Sequence, residues 1–135
     1  MDATSPFAAS SLVALGGAIG SLARYQTGRL MTHWLGPAAV TAFPWATLAV
    51  NVLGSLAMGL LAGWLMRHGP GGDQWRLFAG VGLLGGFTTF SSFSLELMLL
   101  IERGQPVQAF LYAAISLLAG LSALYIGLIT MRLAA

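Results

Sequence analysis

Four long stretches of this chain contain no charged residue, and this pattern restricts its fold more than any other feature. The stretches are residues 3–23, 30–66, 77–95 and 104–131. A helix needs about 20 apolar residues to cross the hydrocarbon core of a bilayer, and each stretch reaches or nearly reaches that length. The pattern therefore predicts an all-α integral membrane protein with four transmembrane helices.

The composition agrees with a chain that lies in the membrane. Of the 135 residues, 57% are hydrophobic and 7% are charged, whereas a soluble domain has about 25% charged residues. The net charge of +2 is too small for a nucleic-acid-binding surface. Because the chain has no cysteine, disulfides, thiolate metal sites and thiol catalysis are excluded. We expect a single domain, residues 1–135, in the cell inner (plasma) membrane as a multi-pass protein.

Clusters of glycine and proline separate the predicted helices. They lie at Gly36 and Pro37, at residues 69–73 and at residues 104–106, and such clusters are typical of chain reversals. Pro44 is expected to be the first residue of the second helix. The resulting helices are predicted at residues 8–31, 44–67, 75–102 and 106–132.

The arginines divide equally between the two sides of such a four-helix bundle. One side is expected to carry three of them, Arg67, Arg76 and Arg132. The other side is expected to carry the remaining three, Arg24, Arg29 and Arg103. Equal numbers give no preferred orientation by the positive-inside rule, and placing Arg24 inside the bundle leaves the counts nearly equal. Oppositely inserted copies could then pair as an antiparallel (dual-topology) homodimer.

Residues 82–96, with the sequence GLLGGFTTFSSFSLE, form the most informative segment. A glycine pair, Gly85 and Gly86, precedes two β-branched threonines, and this combination disfavours a continuous helix. We therefore predict that the third helix is broken near its middle, where the glycine pair is followed by the threonine pair. A break inside a bilayer frees carbonyl groups, which must be buried or bind an ion.

Beyond the predicted break, two kinds of side chain alternate. Phe90 and Phe93 are three residues apart and share one face of a helix, while Ser91 and Ser94 share another. Five of the seven residues 88–94 carry a hydroxyl group. Serine or threonine in a span often bonds to its own backbone, but this density also favours a polar path.

The second helix carries a polar stripe formed by Thr47, Asn51 and Ser55, which are spaced four residues apart. An asparagine at membrane depth needs partners for its amide. Asn51 therefore either makes a hydrogen bond between helices or lines a permeation path with its NH₂ group.

Two further positions have a structural and a functional interpretation. Arg24 either snorkels to the membrane surface or attracts anions in a water-filled vestibule. Tyr112 shares a stripe with Ser116 and Gly120 and either anchors the membrane interface or lines a path. His33 and His68 have no partners at ligand or catalytic spacing, so we expect no enzyme activity.

These motifs together resemble the CrcB/Fluc family of fluoride channels. The resemblance rests on G-x-x-x-R-Y at residues 20–25, the asparagine in VNVLG at residues 50–54, and the segment of residues 85–96. It covers nearly the whole chain. Phe87 and Ser92 depart from the commoner leucine and threonine of this family, and Gly120 lies where some relatives carry a hydroxyl.

The resemblance implies a passive channel that exports fluoride, built as an antiparallel homodimer with two pores. It also implies a central structural sodium ion held by backbone carbonyls, which correspond here to Gly85 and Thr88. Arg24 would lie in a vestibule. The implied fluoride pathway comprises Asn51, Phe90, Phe93, Ser91, Ser94, Thr47, Tyr112 and Ser116.

Two alternatives belong to other functional classes. A small dual-topology multidrug transporter is also an antiparallel dimer of four-helix chains, but it needs a carboxylate in its first helix. The first helix here has none, and Glu96 is the only acid embedded away from the ends of the predicted helices. A non-transporting assembly subunit is disfavoured by the hydroxyl-rich segment after the break.

Overall fold

The described part of the chain, residues 4–134 of a computed structural model, consists of helices and short connections. Within these residues there is no β-strand, which confirms the all-α class. Residues 1–3 and 135, at the ends of the expected single domain, lie outside the described residues.

The described residues form seven α-helices. They are α1 (Pro6–Leu35), α2 (Pro37–Ala42), α3 (Trp45–His68), α4 (Asp73–Trp75), α5 (Gly85–Phe87), α6 (Phe90–Glu102) and α7 (Pro106–Leu133). A 3₁₀ turn, Gly69–Gly72, follows α3, and a π-helix, Arg76–Leu84, joins α4 to α5. Neither α2 nor the π-helix was predicted from the sequence.

The helix ends follow from local capping. Helix α1 begins earlier than predicted because Pro6 occupies its first turn and the Ser5 hydroxyl accepts the Ala8 N–H at 3.3 Å. The prediction that Pro44 starts the second helix is wrong by one residue. Pro44 has φ −80° and ψ 63°, and the Trp45 N–H bonds to the Phe43 carbonyl at 2.8 Å, which is an inverse γ-turn.

The predicted chain reversals are confirmed, and each contains a glycine with positive φ. Gly36, Gly69 and Gly104 have φ of 85°, 51° and 73°. Other residue types adopt such angles only with strain. The three glycines therefore explain where the long helices stop.

Three stretches of the described residues are long and apolar enough to cross a membrane: Pro6–Leu35, Trp45–Glu102 and Pro106–Leu133. The middle stretch has 58 residues and folds back on itself after α3. Asn51 in α3 hydrogen-bonds to Thr89, 38 residues later. The middle stretch therefore has two arms that lie side by side. The first arm is α3, and the second arm comprises the π-helix, α5 and α6.

The first arm packs against α7, and the second arm packs against α1 through glycines. A Cβ atom on Gly86 would lie 2.5 Å from the Gly17 carbonyl oxygen, and one on Gly82 would lie 2.8 Å from the Val13 carbonyl oxygen. Small residues let two backbones approach this closely, which is a common way to pack helices in membranes.

The second arm is broken within the predicted segment. The backbone stays helical through Gly85, Gly86 and Phe87, and the extended residues are Thr88 and Thr89, with ψ of 156° and 120°. The break therefore lies at the threonine pair, and the helix is continuous through Gly86. Gly86 permits the contact with α1, whereas the break is stabilised by a side chain from α3, described next.

Candidate functional site

Asn51 supplies two of the hydrogen bonds that stabilise the break. Its Oδ1 accepts the Thr89 N–H at 2.9 Å, and its Nδ2 donates to the Thr89 carbonyl oxygen at 3.1 Å. Thr89 is only 8% exposed, so water does not provide these bonds. This is the interhelical hydrogen bond that the sequence analysis considered for Asn51.

The Thr89 side chain then starts the next helix. Its Oγ1 accepts the Ser92 N–H at 3.2 Å, as a threonine at a helix N-cap does. The Thr88 hydroxyl donates to the Leu84 carbonyl at 2.8 Å, so it stays bonded to the preceding helix. The two threonines therefore close the two helix ends that meet at the break.

The break also redirects the usual partners of two carbonyl groups. In a continuous α-helix the Gly85 carbonyl would accept the Thr89 N–H, and the Thr88 carbonyl would accept the Ser92 N–H. Here the Thr89 N–H donates to Asn51 and the Ser92 N–H donates to the Thr89 hydroxyl. These are the two carbonyls that the sequence analysis associated with sodium.

A second polar cluster joins α3, α6 and α7 at Glu96. Thr47 Oγ1 donates to Glu96 Oε1 at 2.7 Å, and the Tyr112 hydroxyl donates to Glu96 Oε2 at 2.8 Å. Thr47 is 8% exposed and Tyr112 is 0% exposed. The cluster was missed by sequence reasoning, although an acid inside a span is itself a signal that a partner is near.

Two phenylalanine rings lie beside the Tyr112 ring of this cluster. The centroids of Phe93 and Tyr112 are 5.1 Å apart, and those of Phe90 and Phe93 are 5.8 Å apart. Phe93 is partly buried against Tyr112, whereas Phe90 is 79% exposed. The two phenylalanine rings are therefore neighbours on α6, with Phe93 partly buried in the bundle and Phe90 turned outward.

The serines proposed from the sequence are not brought together. Ser91 and Ser94 are both exposed on α6, and the Ser94 hydroxyl donates to the Phe90 carbonyl of its own helix at 3.0 Å. The Ser91 hydroxyl lies 3.3 Å from Thr89 Oγ1. The Ser116 hydroxyl is buried in α7 and has no hydrogen-bond partner among residues 4–134.

Two cavities lie near the predicted residues. One of about 280 Å³ borders the break and is lined by Asn51, Ser55, Thr88 and Phe90 among others. The other, of about 520 Å³, is lined by Arg24 and Arg29 with Tyr25, Gly28, Thr32 and Ala46. Arg24 is half-buried and therefore borders a space where water and anions fit. The part of the chain that is described holds no cluster of three His, Cys, Asp or Glu side chains suited to a metal ion.

Comparison with known proteins gives one consistent result. A family model described as "CrcB-like protein, Camphor Resistance (CrcB)" matches residues 11–128. The chain is 58% identical, over 98% of each chain, to a protein of Erythrobacter litoralis named fluoride-specific ion channel FluC. It is 57% identical to a protein of that name from Novosphingobium aromaticivorans, over 92% of this chain and 96% of the relative. For a third such protein, from Caulobacter vibrioides, identity is 48% over 90% and 93%.

Proposed function

This chain belongs to the CrcB family, and from that premise we propose that it is a passive, fluoride-selective channel that exports fluoride. The observation that carries the proposal is the 58% identity to a fluoride-specific ion channel over 98% of both chains. The chain is a multi-pass protein of the plasma membrane, and as a member of an ion-channel family it is not an enzyme.

The proposed assembly is an antiparallel homodimer of four-span chains with two pores. The balance of arginines supports it. Arg103 contacts the Thr41 carbonyl at one end of the bundle, and Arg132 contacts Met66 at the other, as expected for two sets of arginines on opposite sides. A dimer of oppositely oriented copies requires no net bias between these sides.

The proposed pathway uses donors and aromatic edges instead of fixed cations. Fluoride is small and strongly hydrated, so a pore must replace its water with close donors. The Asn51 amide and the hydroxyls of Thr47, Tyr112 and Ser116 are of that type, as are those of Ser91 and Ser94. Ring edges carry positive quadrupole density, so Phe90 and Phe93 can face an anion without binding it too tightly to leave.

A central sodium ion fits the residues at the break. The proposed ligands are the carbonyl oxygens of Gly85 and Thr88, whose usual helical donors bond elsewhere. Carbonyl oxygens suit a hard cation, and leaving such groups unpaired in a bilayer costs several kcal/mol each. The bound ion would satisfy those carbonyls and add positive charge near the path.

The decisive test is anion efflux from liposomes that contain the purified protein. We expect rapid fluoride efflux, almost no chloride efflux, and no dependence on a proton gradient. Replacing sodium on both sides by a large organic cation is expected to slow fluoride efflux, and restoring sodium to recover it. Equal fluoride and chloride fluxes would contradict the channel proposal, while efflux unchanged after sodium removal would contradict only the cation site.

A further inference from the structure

A small pocket lies beside Glu96, between α6 and α2. Its volume is about 160 Å³, and it is lined by Thr41 and Pro44 on one side and by Glu96, Leu99 and Arg103 on the other. Glu96 and Arg103 are two helical turns apart, which places them on one face of α6, about 10 Å apart along its axis. The pocket therefore runs from a half-buried acid to an exposed arginine at the end of the helix.

The guanidinium group of Arg103 is held in place by α2. Its Nη1 donates to the Thr41 carbonyl oxygen at 2.9 Å. An arginine has five N–H donors, so this bond orients the group and leaves donors for another ligand. Among the described residues Arg103 forms no ion pair, whereas Arg76 pairs with Asp73 at 3.1 Å. Within residues 4–134, no acid therefore neutralises the charge of Arg103.

An anion that passes Glu96 at this end of the bundle is repelled by the negative charge of the Glu96 carboxylate. The two hydroxyl donors on Glu96 stabilise that carboxylate but do not cancel its charge for an approaching anion. A positive charge at the rim of the same pocket offsets the repulsion. Within the described residues, Arg103 is the cation that lines this pocket.

We propose that this pocket is the mouth of the fluoride path on the α2 side and that Arg103 is its anion-binding residue. The inference rests on the proposed channel function. The ligand is a small monovalent anion that keeps part of its hydration water, because the pocket has room for several water molecules. Helix α2 has a role in this arrangement, since its Thr41 carbonyl orients the arginine.

The test uses a single introduced thiol, because the chain contains no cysteine. Purified Arg103→Cys is reconstituted in liposomes, and fluoride efflux is measured at low ionic strength. Relative to wild type, efflux is expected to fall about two- to tenfold. Labelling with a trimethylammonium thiosulfonate should restore efflux, and labelling with a sulfonate reagent should lower it further. In about 1 M potassium gluconate, where the Debye length is about 3 Å, these differences should shrink below about twofold.

Arg132→Cys is the matched control. It removes one arginine from the opposite set, in the exposed last turn of α7, where Arg132 contacts Met66 Sδ at 3.6 Å. Neither reagent should change its efflux. If wild type conducts fluoride but neither reagent changes fluoride efflux from Arg103→Cys, the proposal that Arg103 binds anions at the mouth is wrong. A wild type without fluoride efflux would instead overturn the channel function.

A variant that keeps the charge covers the case in which Arg103→Cys does not fold. Arg103→Lys should stay within about twofold of wild type, and wild-type efflux at low fluoride should decrease as ionic strength rises. A wild-type efflux that is independent of ionic strength would contradict a charged mouth.

Discussion

The two sides of the break at Thr88 and Thr89 are held in the bundle by different interactions. Before the break, the π-helix and α5 lie against α1, and glycines bring the backbones into contact. After the break, α6 meets α3 and α7 through Glu96, Thr47 and Tyr112. The first half is therefore held by close backbone contacts, whereas the second half adds side-chain hydrogen bonds to its apolar packing. The proposed fluoride pathway is formed by this second half together with the neighbouring α3 and α7.

Asn51 connects these two halves, and its loss is expected to have the largest effect. Asn51→Leu leaves the Thr89 N–H and carbonyl without partners in a place that is 8% exposed. Two such groups cost about 2–6 kcal/mol of unfolding free energy. Denaturant unfolding in micelles, followed by circular dichroism, measures the loss.

Ser55→Ala is the control for Asn51→Leu. Ser55 lies one turn further along α3 and lines the same cavity. Its replacement should change the unfolding free energy by less than about 1 kcal/mol. Equal stability of the two variants would mean that Asn51 does not hold the break.

Two adjacent glycines in α1 test the half before the break, which packs through close backbone contacts. A Cβ atom on Gly16 would overlap the Phe78 carbonyl oxygen and lie 2.8 Å from the Leu83 nitrogen, whereas one on Gly17 has its nearest neighbour at 3.9 Å. Gly16→Ala should therefore cost about 1–3 kcal/mol. Gly17→Ala should be neutral, or more stable by up to about 1 kcal/mol through helix propensity. Thermal unfolding of both variants in detergent distinguishes them, and equal melting temperatures would refute close packing at Gly16.

Two tyrosines on α7, one buried and one exposed, test the half after the break, where side chains hydrogen-bond between helices. Tyr112→Phe removes one donor from Glu96 but keeps the ring beside Phe93, so we expect a loss of about 1.5 kcal/mol. Tyr125→Phe makes the same change at a residue that is 62% exposed and should cost less than about 0.5 kcal/mol. Chemical unfolding of both proteins gives the comparison. If Tyr112→Phe is as stable as wild type, the hydrogen bond from Thr47 alone is sufficient to stabilise the buried side of Glu96.

Ser116 should give the smallest change in stability. Its hydroxyl is buried without a partner among residues 4–134, and burying an unpaired hydroxyl is unfavourable. Ser116→Ala is therefore expected to leave stability unchanged or to raise it by up to about 1 kcal/mol, while fluoride efflux in liposomes falls. A clear loss of stability with unchanged efflux would mean that Ser116 has a structural role instead.

Much of the architecture was predictable because it depends on local properties of the chain. Long apolar stretches, and glycines at the reversals, place the main helices to within a few residues of their observed positions. The break was also predicted, since two β-branched threonines after two glycines disfavour a continuous helix. The sequence did not show which of the two pairs forms the break, because both Gly-Gly and Thr-Thr weaken a helix locally and neither pattern identifies the neighbour that stabilises the break.

The membrane class, the chain reversals and the set of polar residues within the spans follow from the order of residues in the chain. Which of these polar groups meet depends on how the helices pack: Asn51 bonds with Thr89, and Glu96 bonds with Thr47 and Tyr112. The physical reason is that a polar group inside a bilayer must find a partner, but spacing along one helix does not identify a partner on another. The contact between α2 and Arg103 was equally unpredictable from spacing, because it joins residues 62 positions apart in the chain.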